Sequence, residues 1–178
     1  QLNPHFIFNA LGSIQNFMIN NSLQQAGIYL AKFSKLMRQI LENSRQEYIS
    51  VEEEVKMLDN YLAINQLQLN HAFQYQILIA EEINLEEDLI PPMFVQPFVE
   101  NAIKHGIDQH DNKGEIKINF KKEQNYIYIE VTDNGKGFIT SKTKEHKSLA
   151  TTIIKERIEL FNKNLKDKIE LLVTELKG

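Results

Sequence analysis

Residues 91–106 read Pro-Pro-Met-Phe-Val-Gln-Pro-Phe-Val-Glu-Asn-Ala-Ile-Lys-His-Gly. Prolines early and a glycine at the far end are the punctuation that helix termini prefer, so the stretch predicts one helix from Pro91 to Gly106. At helical spacing Val95, Phe98, Val99, Ala102 and Ile103 share one face, while Glu100, Asn101, Lys104 and His105 gather on the other. The flanks change period from helical to two. Upstream, Phe73, Tyr75, Ile77 and Ile79 alternate with Gln74, Gln76 and Leu78, which predicts a strand. Downstream, Ile116, Ile118 and Phe120 alternate with polar residues, as do Ile127, Ile129 and Val131 with Tyr126, Tyr128 and Glu130. The polar loop from Lys121 to Asn125 joins these two runs into an antiparallel hairpin. A helix at Ile153–Leu165 and a short strand at Ile169–Val173 complete an α/β layer.

Before residue 70 the pattern is helical throughout. One stripe runs Ile7, Leu11, Ile14, Phe17 and Met18; a second runs Leu23, Ala26, Leu30, Phe33, Met37 and Ile40; a third runs Val51, Val55, Leu58, Leu62 and Leu69. Ser50-Val51-Glu52-Glu53 has the form of a capping box and fixes a helix start near residue 50. Spacing near 3.5 suggests a helical bundle or a dimerising hairpin. The expected class is therefore α+β: a helical unit over residues 1–69, then an α/β sandwich over 70–178. Residues 139–150 lack periodicity and are expected to form a mobile loop.

Composition narrows the function classes. The chain has 178 residues, 42% of them apolar, with 20 Lys and Arg against 24 Asp and Glu and a net charge of −4. It can bury a real core, and it lacks the basic balance of a nucleic-acid binder. The absence of cysteine removes disulfides, thiolate zinc sites and cysteine nucleophiles together. His5, His71, His105, His110 and His146 are too scattered for a zinc set. No apolar run is long enough to span a membrane, and no signal peptide opens the chain. Starting at Gln1 without Met, it reads as a piece of something longer.

Three clusters could carry chemistry. In Asn3-Pro4-His5-Phe6-Ile7-Phe8-Asn9, His5 is expected to be exposed at a helix start beside a small-residue polar surface of Asn9, Gly12, Ser13 and Asn16. A neutral imidazole is a competent nucleophile near pH 7, with a free pKa of about 6.5; a plain surface histidine near a helix start is the more ordinary reading of the same residues. The polar face of Glu100, Asn101, Lys104 and His105 offers the hard oxygens and the ammonium that suit a Mg²⁺–polyphosphate, or simply a solvated face. Asp133-Asn134-Gly135-Lys136-Gly137, directly after a strand, lets the backbone approach a ligand, with Asp133 able to accept from an exocyclic amine. It is also good turn chemistry.

Their order is what resembles a known family. Residues 3–9 resemble the phosphoacceptor box of LytS/YehU-type sensor histidine kinases. Residues 91–106 resemble the N box of that subgroup, and Asp133 to Phe138 its G box. Glu52-Glu53-Glu54 and Asp59-Asn60-Tyr61-Leu62 resemble its last helix before the ATP-binding domain. The resemblance implies a Bergerat (GHKL) sandwich over residues 73–173, with ATP and Mg²⁺ as cofactors. It implies His5 as the phosphorylated residue, Asn101 as the Mg²⁺ ligand, and Asp133 on the adenine amine. Gly135 and Gly137 would shape the pocket, Lys104 and His105 would lie near the phosphates, and Glu100 would stand beside the metal ligand. The expected partners are a second copy of the chain and a response regulator whose aspartate receives the phosphoryl group, often of the LytTR type. The expected place is the cytoplasmic side of a bacterial inner membrane, reached through upstream segments.

The position four before Asn101, where related ATPases carry a water-activating glutamate, is Pro97, which favours transfer to histidine over hydrolysis. Departures from the family pattern are Phe6, where the wider class carries an acid assisting the imidazole, and Ser148-Leu149-Ala150-Thr151, where two lid glycines are replaced. A last strand expected beyond Gly178 is missing, and upstream segments are absent. Two alternatives remain open on sequence: a Bergerat-fold ATPase without phosphohistidine, and a degenerate kinase acting as a dimeric interaction module.

Overall fold

The computed structural model describes residues 4–20, 22–69, 71–107 and 114–135, together with residues 156, 158, 159, 162 and 170. Three helices come first: α1 (Pro4–Ile19), α2 (Leu23–Asn43) and α3 (Val51–Gln68). The sequence encodes the start of α3 most completely. Ser50 Oγ accepts from the Glu53 amide at 3.2 Å, and Glu53 Oε2 accepts from the Ser50 amide at 3.0 Å. The amides of Val51 and Glu52 find the carbonyls of Asp88 and Leu85, both at 2.9 Å, so the first-turn donors left over by helix geometry are satisfied from outside. Two-residue strands β1 (Ile49–Ser50) and β3 (Leu89–Ile90) pair antiparallel and close that junction.

The main sheet has the order β2-β4-β5 among the described residues. Strand β2 (Phe73–Ile79) runs parallel to β4 (Gly114–Glu123), and β4 pairs antiparallel with β5 (Tyr126–Asp133). Parallel neighbours need a crossover; residues 80–113 supply it and carry α4 (Gln96–Asn101). The core is continuous from helix to sheet. Tyr29, Leu36, Leu58, Leu62 and Ile64 join Phe73, Ile116, Ile118 and Phe120 in one buried cluster. Gly114 stands opposite Phe73 in the register, and a Cβ there would come within 2.9 Å of Phe73 Cβ and 3.0 Å of Ile107 Cγ1.

Several expectations need correction. The helix does not begin at Pro91. Residues 91–95 form turns and bends, with Met93 at a φ of 56°, and α4 starts at Gln96 with a proline in its first turn. The hairpin connection is not five residues long: β4 and β5 extend to a closing pair Glu123↔Tyr126, leaving Gln124 and Asn125, the first with a φ of 54°. In α1 the inward positions are Phe6 and Ala10, not Leu11, which is exposed. In α2 they are Ala26, Tyr29, Leu36, Ile40 and Asn43, while Leu23 and Leu30 face out. Periodicity found the helices and part of each inward face (Ala26 and Ile40 are buried, and Ile14, Phe17 and Phe33 pack on the core), but both helices have apolar residues on more than one side, so the stripes also took in exposed positions. The expected strand 169–173 and loop 139–150 lie outside the described residues. So does most of the helix 153–165, of which Glu156, Ile158, Glu159 and Asn162 are helical.

Candidate active site

Helix α4 is only six residues long, begins at the N-cap Val95 with no side-chain cap, and ends at Asn101. The chain then widens into a five-residue π-helical stretch, Ala102–Gly106, before Ile107 turns extended. Such π turns are rare and frequent at functional sites, because the extra residue re-aims side chains and loosens backbone bonds. Val99 and Ala102 are buried, Glu100 and Asn101 are half-buried, and Lys104 is exposed, so the two faces anticipated in this segment are present. Lys104 Nζ donates to Glu100 Oε1 at 2.7 Å, one turn back. The backbone of His105 lies in the π stretch.

The π stretch packs against β4 and β5, and β5 ends at Asp133. There Asp133 Oδ1 accepts from the Gly135 amide at 2.9 Å, while Asn134 Oδ1 accepts from the Glu115 amide at 2.7 Å. The Asn134 amide returns a bond to the Glu115 carbonyl at 3.2 Å. Asn134 is thus pinned to the start of β4, and the Asp133 carboxylate closes on the backbone two residues ahead. Gly137 lies outside the described residues.

Helix α1 brings its N-terminus to the same region. His5 is the second residue of α1, and the buried ring of Phe6 packs on Phe33 and Tyr61, with centroids 6.0 and 5.1 Å away. Tyr61 is itself buried in α3; burial raises its hydroxyl pKa well above the ordinary value, and the nearby charge of Glu100 raises it further, against a bond with Asn65. An electrostatic effect of that kind requires proximity. Phe6, the residue after His5, therefore packs on Tyr61, and Tyr61 lies within electrostatic range of Glu100, the residue before Asn101.

What sequence reading missed is the side chain that aims this segment. Glu54 is wholly buried, and its two carboxylate oxygens accept from the backbone amides of Met93 at 2.9 Å and Val95 at 3.1 Å, 39 and 41 residues away. A buried carboxylate is tolerated only where such bonds replace its water. Glu52-Glu53-Glu54 drew attention as an acidic run; that the third of the three points inward could have been suspected from its spacing to Leu58, Tyr61 and Asn65. A concavity among the described residues lies elsewhere. It is an open groove of about 600 Å³ on α2, lined by Leu30, Phe33, Met37 and Leu41 with Arg38, Arg45, Glu42 and Ser34. Its apolar, open character is that of a helix face awaiting another helix rather than of a nucleotide pocket.

Comparison with known proteins decides the family. Residues 1–73 match the family described as histidine kinase. This segment belongs to that family. Over most of its length the chain is a homologue of LytS and BtsS sensor proteins. It is similar to the sensor protein LytS of Enterococcus faecalis, 31% identical over 137 residues, covering 77% of this chain and 23% of that protein. LytS of Staphylococcus saprophyticus is 34% identical over 137 residues with the same coverage. The sensor histidine kinase BtsS of Escherichia coli is 32% identical over 134 residues, 75% of this chain and 23% of that protein. The chain thus spans about a quarter of the length of the curated relatives it matches. Among the described residues, no helix of this histidine kinase segment or the layer after it is long and apolar enough to cross a membrane.

Proposed function

We propose that the chain is the catalytic core of a two-component sensor histidine kinase, in which residues 1–69 carry the phosphoacceptor and dimer helices and residues 70–178 form a Bergerat-type ATP-binding unit. The observation that supports this is the packing of Phe6 on Tyr61, within electrostatic range of Glu100, which puts the helix bearing His5 and the segment bearing Asn101 on the same side of α3. The His5 imidazole lone pair attacks the γ-phosphorus of ATP as the bond from that phosphorus to the β,γ-bridging oxygen breaks and ADP leaves. The phosphoryl group then passes from the imidazole nitrogen to an aspartate oxygen of a response regulator, of LytTR type.

Asn101 and Glu100 present hard oxygens of the kind Mg²⁺ prefers when it arrives with a polyphosphate, so the donor set fits that ion, with Asn101 as its ligand. Bound there, Mg²⁺ supplies charge neutralisation on the phosphates. Lys104 and His105 lie in the stretch that follows, where positive charge balances the transferring oxygens. Asp133 holds the adenine amine, with Gly135 and Gly137 shaping the pocket; Oδ1 keeps the Gly135 amide while Oδ2 accepts from the amine. Pro97 in the first turn of α4 leaves no base at the position four before Asn101, which favours histidine over water as acceptor.

The outward apolar residues of α1 and α2, among them Phe8 at 72% exposure and Leu41 at 61%, support a homodimer built on these helices. Upstream segments would hold the whole protein at the cytoplasmic side of the inner membrane. Phosphosite mapping after incubation with Mg-ATP tests the assignment. Acid-labile, base-stable label is expected on His5, lost in His5→Gln and in Asn101→Ala. Label persisting in His5→Gln would refute the acceptor. Steady phosphate release without phosphoprotein would indicate an ATPase instead, and failure to bind Mg-ATP an interaction module.

A further inference from the structure

The geometry points to Glu54 as a positioning residue for the nucleotide cleft, through which helix α3 fixes where Asn101 stands. This rests on reading the cleft beside Asn101 as a nucleotide site. Residues 91–95 have little reason of their own to hold their conformation. Pro91 and Pro92 bring no backbone N–H donor to the bend, Met93 occupies the left-handed region at a φ of 56°, and Val95 caps α4 without any side-chain bond. A non-glycine residue persists at such a φ only where its surroundings over-determine it. Glu54 is that determinant, with one oxygen on the Met93 amide and the other on the Val95 amide.

Seven residues on along the same helix, Tyr61 lies within electrostatic range of Glu100. Glu54 and Tyr61 are two turns apart on one face of α3, and the two carboxylate bonds hold α4 at its entry. A six-residue helix whose entry is bonded to a rigid neighbour moves with that neighbour. Rotation or sliding of α3 is therefore transmitted to Asn101 and to the π stretch packed on β5, and the kinase helices set nucleotide affinity without touching the nucleotide.

The test uses the whole 178-residue chain. In the unaltered protein the Met93 and Val95 amides, as donors to a buried carboxylate, are expected to exchange hydrogen as slowly as the amides of β4; exchange at loop rates would overturn the proposal, even if no variant folds. Glu54→Gln keeps the shape but offers one acceptor and one donor, setting its NH₂ against a backbone N–H. In that variant, exchange is expected to quicken across residues 93–106 while β4 and β5 stay protected. Calorimetric affinity for Mg-ATP, read well below the melting transition, should weaken by about tenfold, the scale of one lost charge-assisted bond. A uniform rise in exchange, or an affinity within about twofold of the unaltered chain in a folded variant, would overturn it. No Mg-ATP binding by the unaltered chain would overturn the kinase reading instead, while the exchange pattern would still decide whether Glu54 aims the segment.

Discussion

Helices α2 and α3 are neighbours of similar length, 21 and 18 residues, and they spend their surfaces in opposite ways. In α2 the buried residues keep to one side, and Leu23, Leu30 and Leu41 stand out in solvent. In α3 burial reaches most of the circumference and includes Glu54, Asn60 and Asn65, each with a partner: backbone amides for Glu54, Gln39 for Asn60, the Tyr61 carbonyl for Asn65. An exposed leucine row and a buried carboxylate are both costly in isolation, and each is explained by a neighbour. For α3 that neighbour is within the chain; for α2 the proposed one is a second copy. The chain's internal axis is thus α3, and α2 is the helix that faces outward.

The largest effect expected from this contrast is on stability. Leu62 is fully buried in α3, and Leu62→Ala should cost about 2–5 kcal/mol. Leu41→Ala, on a residue 61% exposed in α2, should stay within about 0.5 kcal/mol in the monomer while weakening self-association. Urea unfolding with sedimentation on both variants would break the comparison if the two costs were equal. Next comes Gly114→Ala, which puts a methyl group against Phe73 and Ile107 and should destabilise by about 1–3 kcal/mol, read by the same unfolding curves.

The two helix starts sharpen the contrast. Ser50 caps α3 with its hydroxyl, whereas Ser22 precedes α2 with no side-chain bond. Ser50→Ala should lose about 1 kcal/mol, and Ser22→Ala close to nothing, measured as a difference in thermal midpoints. The smallest effect is electrostatic. Burial pushes the Asp88 carboxyl up, but the Lys122 ammonium bonded to it at 2.5 Å and the Asn84 amide outweigh burial and hold its pKa below the usual carboxylate range. A lowered folded pKa contributes stability above the unfolded value of about 3.9, and that contribution is lost as pH falls through the folded one. Asp88→Asn should therefore lower the melting temperature slightly at pH 7, and the gap to the unaltered chain should close as the pH is taken below that of the folded carboxyl. A gap that widened on acidification would reverse the assignment.

Much of the fold was legible because its causes are local. The capping box at Ser50 and Glu53 closes within one turn, and the alternation in β2, β4 and β5 needs only neighbours two residues apart. The polar face of Glu100, Asn101 and Lys104 was readable for the same reason. Residues 91–95 were misread as helix because what bends them is Glu54, far upstream, and nothing in Pro-Pro-Met-Phe-Val announces a carboxylate from another helix. The inward faces of α1 and α2 are only partly legible because apolar residues occupy two sides of each, and which side turns in depends on what packs there.

Taken alone, the order of residues determined the helices and strands, the motif sequence from His5 to Asp133, and the type of chemistry those side chains can perform. Each follows from bonds and spacings that span a few residues. Only the tertiary structure decided that Phe6 meets Tyr61, that Tyr61 lies by Glu100, and that Glu54 fastens the bend before α4. Those contacts join segments dozens of residues apart, and they form because burying apolar surface in one shared core outweighs what any segment prefers by itself.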